Sequence, residues 1–218
     1  AIVENKQEPN FENTILAFDN SGQMLARVST VFELLAAADT DEQMQALSSE
    51  IMPQLAAHSD AILMNDALFE KIKSVYDRRF SLDLDDEQRR LTEKIYSRFE
   101  RSGALLSEQD KSRLKQINEQ LTSLGVKFGQ NVLAETNAFE LELSQDDLLG
   151  VPSQVREAAQ EYAKSIDKKG KYIFTLQKPS LLPLLTYAQN RGVRENIYKA
   201  YIARANNGGE NDNNDVIA

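Results

Sequence analysis

Few side chains in this chain have the type and spacing to do chemistry. The 218 residues include one histidine, His58, and no cysteine. A zinc peptidase centre of the HExxH kind needs two histidines one helical turn apart with a carboxylate base between them, so a single histidine cannot supply it. A Ser-His-Asp triad would have to use His58 as its base, and no nucleophile elbow accompanies it. His58 lies in Ala56-Ala57-His58-Ser59-Asp60. It reads as structural, with its ring nitrogens satisfied by backbone or by a neighbouring carboxylate. The absence of cysteine removes disulfides, thiol nucleophiles and thiolate metal sites, and fits a reducing compartment. Walker A and dinucleotide-binding glycine patterns are missing. The expectation is therefore no catalytic residue, no cofactor-binding residue and no metal ligand within these residues.

Two places come nearest to a site. The run Gly208-Gly209-Glu210-Asn211-Asp212-Asn213-Asn214-Asp215 has oxygens enough for a Ca²⁺ loop. It lacks the glycine at position six and the closing bidentate glutamate of an EF-hand, and reads as a turn followed by an N-cap. Just before it, Val193, Ile197, Ala200 and Tyr201 share one helical face, and Arg204 falls in the same arc with Arg194 and Tyr198 flanking. A charge among core-facing positions needs a partner. Arg204 is expected either to pair with Glu210 or Asp212 folding back, pinning the Gly-Gly loop, or to snorkel at the helix end. Glu50 and the acids around Asp85 read as solvated or dipole-complementing carboxylates.

Composition narrows the class. Hydrophobic residues at 41% and charged residues at 27% place the chain among globular proteins with material for a core. With 34 acids against 25 bases the formal net charge is −9, which argues against a nucleic-acid or anionic-membrane surface. No apolar run is long enough to span a bilayer. A cytoplasmic protein is expected; the first residue is Ala1, so a trimmed leader and an exported form stay open.

Helices must position whatever this chain does. Ala1-Ile2-Val3 reads as the tail of an earlier helix. Asn10 can cap a long helix carrying Ile15, Phe18, Leu25, Val28, Phe32 and Leu35, with Gly22 marking a close crossing or a bend. A second helix, through Met44, Leu47, Ile51, Leu55, Ile62 and Leu63, should kink or split at Pro53. Asn65-Asp66 caps a third, with Leu68, Phe69, Ile72, Val75 and Tyr76. Asp83, Asp85 and Asp86 precede a fourth, with Leu91, Ile95 and Phe99, which Gly103 ends. Ser107 and Asp110 open the clearest helix, with Leu114, Ile117, Leu121, Leu124, Phe128 and Val132 at alternating threes and fours, a packing stripe. Phe139–Leu143 then alternates as a strand, and Lys171–Gln177 is a second strand expected to pair with it. A helix from Pro152-Ser153 lies between them. Another opens at Pro179-Ser180 and closes at Gly192. At the end, Asn213 or Asn214 caps a helix begun four residues before Ala218, too short to bury a face. The chain thus reads as a piece of a longer protein. The fold class is mainly α, a multi-helix bundle lobe with one small two-stranded β element. One lobe over 1–218 is expected, with a long-helix bundle over 1–135 and the β element plus helices over 136–218.

Several stretches together resemble a known family. They are Phe11-Glu12-Asn13-Thr14-Ile15 with Ser21-Gly22 and Leu25, then Leu55-Ala56-Ala57-His58-Ser59-Asp60, and Leu106-Ser107-Glu108. Arg194, Tyr198, Ala200 and Arg204 with Gly209-Glu210-Asn211-Asp212-Asn213 complete the set. In this order they resemble the N-terminal half of thimet-type zinc oligopeptidases, in particular the bacterial peptidyl-dipeptidases and oligopeptidases. The resemblance implies a mainly helical metallopeptidase with a deep channel between two lobes, and a zinc site encoded in the C-terminal half. No zinc ligand or catalytic residue carries over to a position in this chain. What it implies for these residues is one wall of the substrate channel, with the catalytic half of the same chain and short peptides as partners. The alternative is a stand-alone helical interaction module without enzymatic activity.

Overall fold

The computed structural model describes residues 1–218, and it is mainly helical with a single two-stranded sheet. It divides into two compact units, Ala1–Val126 and Lys127–Ala218.

The first unit opens on a single turn, where the Asn5 N–H donates to the Ala1 carbonyl at 3.1 Å. Asn10 caps as expected: its side chain accepts from the Asn13 N–H at 2.8 Å, and Asn13 answers from the Asn10 N–H at 3.0 Å. What it caps is short. A π-helical segment, Phe11–Leu16, runs into α1 (Ala17–Asp19) and stops. The chain restarts as α2 (Gln23–Ala38), with Gly22 at its N-cap at φ +73°. The long helix expected from Asn10 is thus two pieces. Gly22 serves the break by its left-handed backbone; nothing lies within 4 Å of where its Cβ would be, so a close crossing is excluded.

Helix α3 (Glu42–Leu63) is capped by Asp41 and continues through Pro53 without splitting. α4 (Asp66–Asp77) is capped by Asn65, and α5 (Asp86–Arg101) by Asp85 in a capping box with Gln88. Gly103 follows the C-cap Ser102, as expected. The core lies between the π-helical segment, α4 and α5, and holds Phe11, Ile15, Phe69, Ile72, Val75, Ile95 and Phe99. Phe99 is its centre, edge-on to Phe18 at 5.2 Å and stacked on Phe69 at 6.2 Å. Aromatic pairs at such spacings add to the free energy of area burial. Arg78 ties the N-terminal segment to α4, donating to the Pro9 carbonyl and to Glu8, each at 2.5 Å.

α2 is different. No residue in it is buried, and Leu25, Val28 and Leu35, expected as core positions, are exposed, with Phe32 half-buried. The same holds for the middle of α6 (Glu108–Ala138), where Leu121, Leu124 and Phe128 are exposed. The stripe predicted from their spacing is present, but only its ends, Leu114, Ile117 and Val132, are half-buried. Polar ties hold the first part of α6 instead. The buried Lys111 pairs with Asp66 and, at 3.2 Å, with Glu108, while Asn118 Nδ2 donates to both carboxylate oxygens of the buried Asp60 at 3.0 Å.

The second unit contains β1 (Leu141–Leu143) and β2 (Tyr172–Phe174), antiparallel with Leu141 opposite Phe174 and Leu143 opposite Tyr172. The strands pair as the alternation predicts. Around them pack α7 (Ser153–Ser165), α8 (Lys178–Tyr187) and α9 (Arg191–Ile202), burying Leu148, Phe174, Leu181, Leu184 and Ile197. α8 ends at the C-cap Ala188; Gly192, expected to close it, lies in the first turn of α9, which Asn190 caps. The reason is Arg194: its guanidinium takes up the carbonyls of Ala188 and Gln189 at 2.5 and 3.0 Å, so α8 needs no glycine to end. The chain finishes in α10 (Asn214–Ile217).

Candidate functional site

Three of the concave surfaces and one loop network are places where chemistry could gather. In the first unit a cleft of about 560 Å³ lies between α2, α3 and α5. It is lined by Phe18, Ser21, Ser29, Glu33, His58 and Arg98, among others. His58 is exposed there and makes no hydrogen bond to protein, which corrects the expectation that backbone or a carboxylate would satisfy its ring. The physical reason is helical register. His58 follows the exposed Ala57 on the outer face of α3, whereas Asp60 turns inward to Asn118. Two of the three serine hydroxyls lining the cleft donate to backbone carbonyls, Ser21 to Phe18 at 2.6 Å and Ser29 to Leu25 at 2.9 Å; the third is Ser59. A hydroxyl whose proton is held by its own helix has no base to activate it.

A second groove runs along α5, lined by Arg90, Lys94, Arg98 and Arg101 with Glu93 and Tyr76. Arg90 reaches Glu93 at 3.5 Å. The Tyr76 ring stacks on Tyr96 at 3.9 Å, and burial pushes the Tyr96 hydroxyl above the ordinary phenol range. This groove can attract anions, but it brings no nucleophile and base together.

In the second unit a cavity of about 370 Å³ opens between α7, β2 and the start of α8. Val155, Ala159, Tyr162, Ile173, Phe174 and Pro179 line it. Ser180 Oγ accepts from the Thr175 N–H at 3.0 Å, closing the turn from β2 into α8. The cavity could hold an apolar side chain; no titratable pair faces into it.

The loop after α9 is held from α6. Arg204 stacks on the Tyr201 ring at 3.9 Å, donates from Nε to the Tyr201 carbonyl at 2.9 Å and from Nη1 to the buried Thr136 hydroxyl at 3.0 Å. It pairs with neither Glu210 nor Asp212. Thr136, one face of α6 away from solvent, meets the guanidinium first, so the expected fold-back of an acid is unnecessary. Glu135 does the pinning instead, accepting from the Ala205 N–H at 3.3 Å and from Asn207 at 2.6 Å. Asp212 turns inward on its own loop: it accepts from Asn214 N–H at 2.8 Å and Gly208 N–H at 2.6 Å, and these donors hold its carboxyl below the usual carboxylate range. A carboxylate spent on backbone N–H groups is poorly placed to ligate a cation. Asn213 stands at the N-cap of α10 as expected, but its buried side chain makes no cap bond: Oδ1 accepts from Asn131 at 2.8 Å and Nδ2 donates to the Phe128 carbonyl at 3.2 Å. Sequence reading missed Asn131, Glu135 and Thr136, because polar residues within an amphipathic helix carry no signal of which one meets a distant loop. The arc containing Arg204 was the single clue that such a tie exists.

Comparison with known proteins gives the chain its relatives. No family model matches the chain. Dipeptidyl carboxypeptidase of Salmonella typhimurium is 35% identical over 218 residues, covering 100% of this chain and 32% of that protein. Oligopeptidase A of Haemophilus influenzae is 31% identical over 218 residues, covering 97% of this chain and 32% of its own length. A thimet-like oligopeptidase of Dictyostelium discoideum is 27% identical over 186 residues. A helical chain matched from end to end by such proteins is part of a peptidase family. Its relatives along essentially its whole length are thus dipeptidyl carboxypeptidase and oligopeptidase A, with a thimet-like oligopeptidase further off. The chain spans about a third of the length of the curated relatives it matches, 32% in each of the first.

Proposed function

We propose that these residues are the N-terminal, non-catalytic lobe of a zinc-dependent peptidase that releases dipeptides from the C-terminus of short peptides. In this reading the lobe forms one wall of the substrate channel in a cytoplasmic protein. The observation that supports it is the match to dipeptidyl carboxypeptidase over all 218 residues, at a coverage of only 32% of that relative. No helix is long and apolar enough to cross a membrane. The residues of this chain do not fit a zinc site of the family's kind. It has one histidine, exposed and without a carboxylate partner, and no three metal-ligating side chains converge. The metal belongs, on this proposal, to residues outside these 218, and no reaction step is assigned to any residue described above.

The test uses the full-length protein with short peptides blocked at the N-terminus, products being read by mass. Stepwise loss of C-terminal dipeptides, abolished by a chelator and restored by zinc, is the expected outcome. A zinc-replete preparation that leaves every peptide intact overturns the proposal and leaves the reading as a stand-alone helical interaction module. Release of single internal fragments instead would keep the peptidase and replace dipeptide release by internal cleavage.

A further inference from the structure

Met24, Val28, Val31 and Leu35 recur along α2 at intervals of four, three and four, so they form one stripe on one side of the helix. Their exposures are 73%, 60%, 57% and 51%, and Leu34 beside them is 64% exposed. An adjoining side, about a quarter-turn round the helix, is where α2 meets the rest of its unit: Ser29, Phe32 and Ala36 are half-buried. Within the sixteen residues of α2 the charged side chains are Arg27 and Glu33, both off the stripe. A helix with so few charges and no buried residue is a poor solvent-facing element, and contiguous exposed apolar patches mark interaction surfaces. Alternation of threes and fours is the spacing of a seam that receives another helix, knob into hole.

We propose that the α2 stripe is the seat of a helix from the remaining two-thirds of the longer peptidase, so that α2 becomes a buried element only in the full-length chain. The inference rests on the reading of this chain as part of that longer protein. Two observations favour this occupant over a second copy. The relatives that match the whole of this chain are about three times its length, so two-thirds of their sequence is available to cover the stripe. A second copy would instead bring a second formal charge of −9 to the contact.

The absence of cysteine in this chain makes a direct test possible. In the full-length protein Val31→Cys and, separately, Thr30→Cys are exposed to a maleimide, with labelling at each position followed by peptide mass. Thr30 is an exposed neighbour on another side of α2 and serves as the reference. The expected result is labelling of Val31→Cys at least about tenfold slower than of Thr30→Cys, at all protein concentrations, because a covered thiol reacts only through local opening. Val28→Cys should behave like Val31→Cys, which guards against one badly tolerated variant. Equal labelling at positions 30 and 31 overturns the proposal. Protection that disappears on dilution to the monomer also overturns it, in favour of a second copy. Peptidase activity is measured on the same samples. An active enzyme with equal labelling sinks this inference alone, whereas an inactive protein with a protected stripe sinks the functional reading alone.

Discussion

The apolar stripes of α4 and α5 and the apolar stripe of α2, all in the first unit, meet opposite fates. On α4 and α5, Leu68, Phe69, Ile72, Val75, Ile95 and Phe99 are all buried. On α2, Met24, Val28, Val31 and Leu35 lie in solvent. Periodicity says that a face is apolar; it does not say that a partner for the face is encoded nearby. α4 and α5 find theirs in each other and in the π-helical segment. α2, released from that segment by the break at Gly22, contacts α3 along one edge, and its stripe points elsewhere. The middle of α6 repeats the lesson, since its apolar positions stay open while polar residues anchor it.

The contrast can be broken by mutation, and the largest effect should come at its buried pole. In the 218-residue chain, Phe99→Ala should cost about 3–5 kcal/mol in urea unfolding, the usual loss for a buried aromatic ring. A cost below about 1 kcal/mol would mean that the α4–α5 core is not the stabilising centre of its unit. Next comes the claim that polar ties hold the end of α6. Asn213→Ala removes two hydrogen bonds from a buried site and strands Asn131, so it should cost about 1–3 kcal/mol. Amide exchange should quicken around 205–214 and leave α4 unchanged.

Gly22→Ala tests the break itself. With φ at +73° and free space around it, the added methyl is strained by conformation alone, at about 1–2 kcal/mol. If the variant is instead stabilised, the two pieces have fused into one helix and the separation of α2 from the core is not intrinsic. The Lys111–Asp66 tie is best tested through pH. The hydrogen bond to Asp66 holds the Lys111 ammonium above the ordinary lysine range against the opposing effect of burial, and the same bond holds the Asp66 carboxyl below its usual range. The raised group stabilises fully below about pH 10.4, its unfolded value, and loses this as pH climbs through its folded value. The depressed group stabilises fully above about pH 3.9 and loses this as pH falls through its own. The stability gap between the native chain and Lys111→Met should therefore be flat across neutral pH and shrink beyond both limits. A gap unchanged at acid pH would show that Asp66 is not the partner that matters.

Val28→Ala anchors the small end. In the 218-residue chain it should change stability by less than about 0.5 kcal/mol, as expected at an exposed site. In the full-length chain the cost should rise toward that of a core valine, since the stripe would then be covered.

Local rules were legible in the sequence with few errors. Asn10, Asn65, Asp85 and Ser107 mark helix starts because capping chemistry is settled within four residues. The strand pair around 141–143 and 172–174 followed from a change of period, and the mainly helical class from the threes and fours elsewhere. The lone histidine and the missing cysteines likewise restricted the available chemistry before any fold was known. Tertiary structure alone decided which stripes are covered, that Gly22 interrupts a helix, that His58 faces outward, and that Thr136 and Glu135 take the places proposed for Glu210 and Asp212 around Arg204 and its loop. Caps and periods depend on neighbours a turn away, whereas burial and long-range pairing depend on which distant surface arrives first, and the chain records no distances.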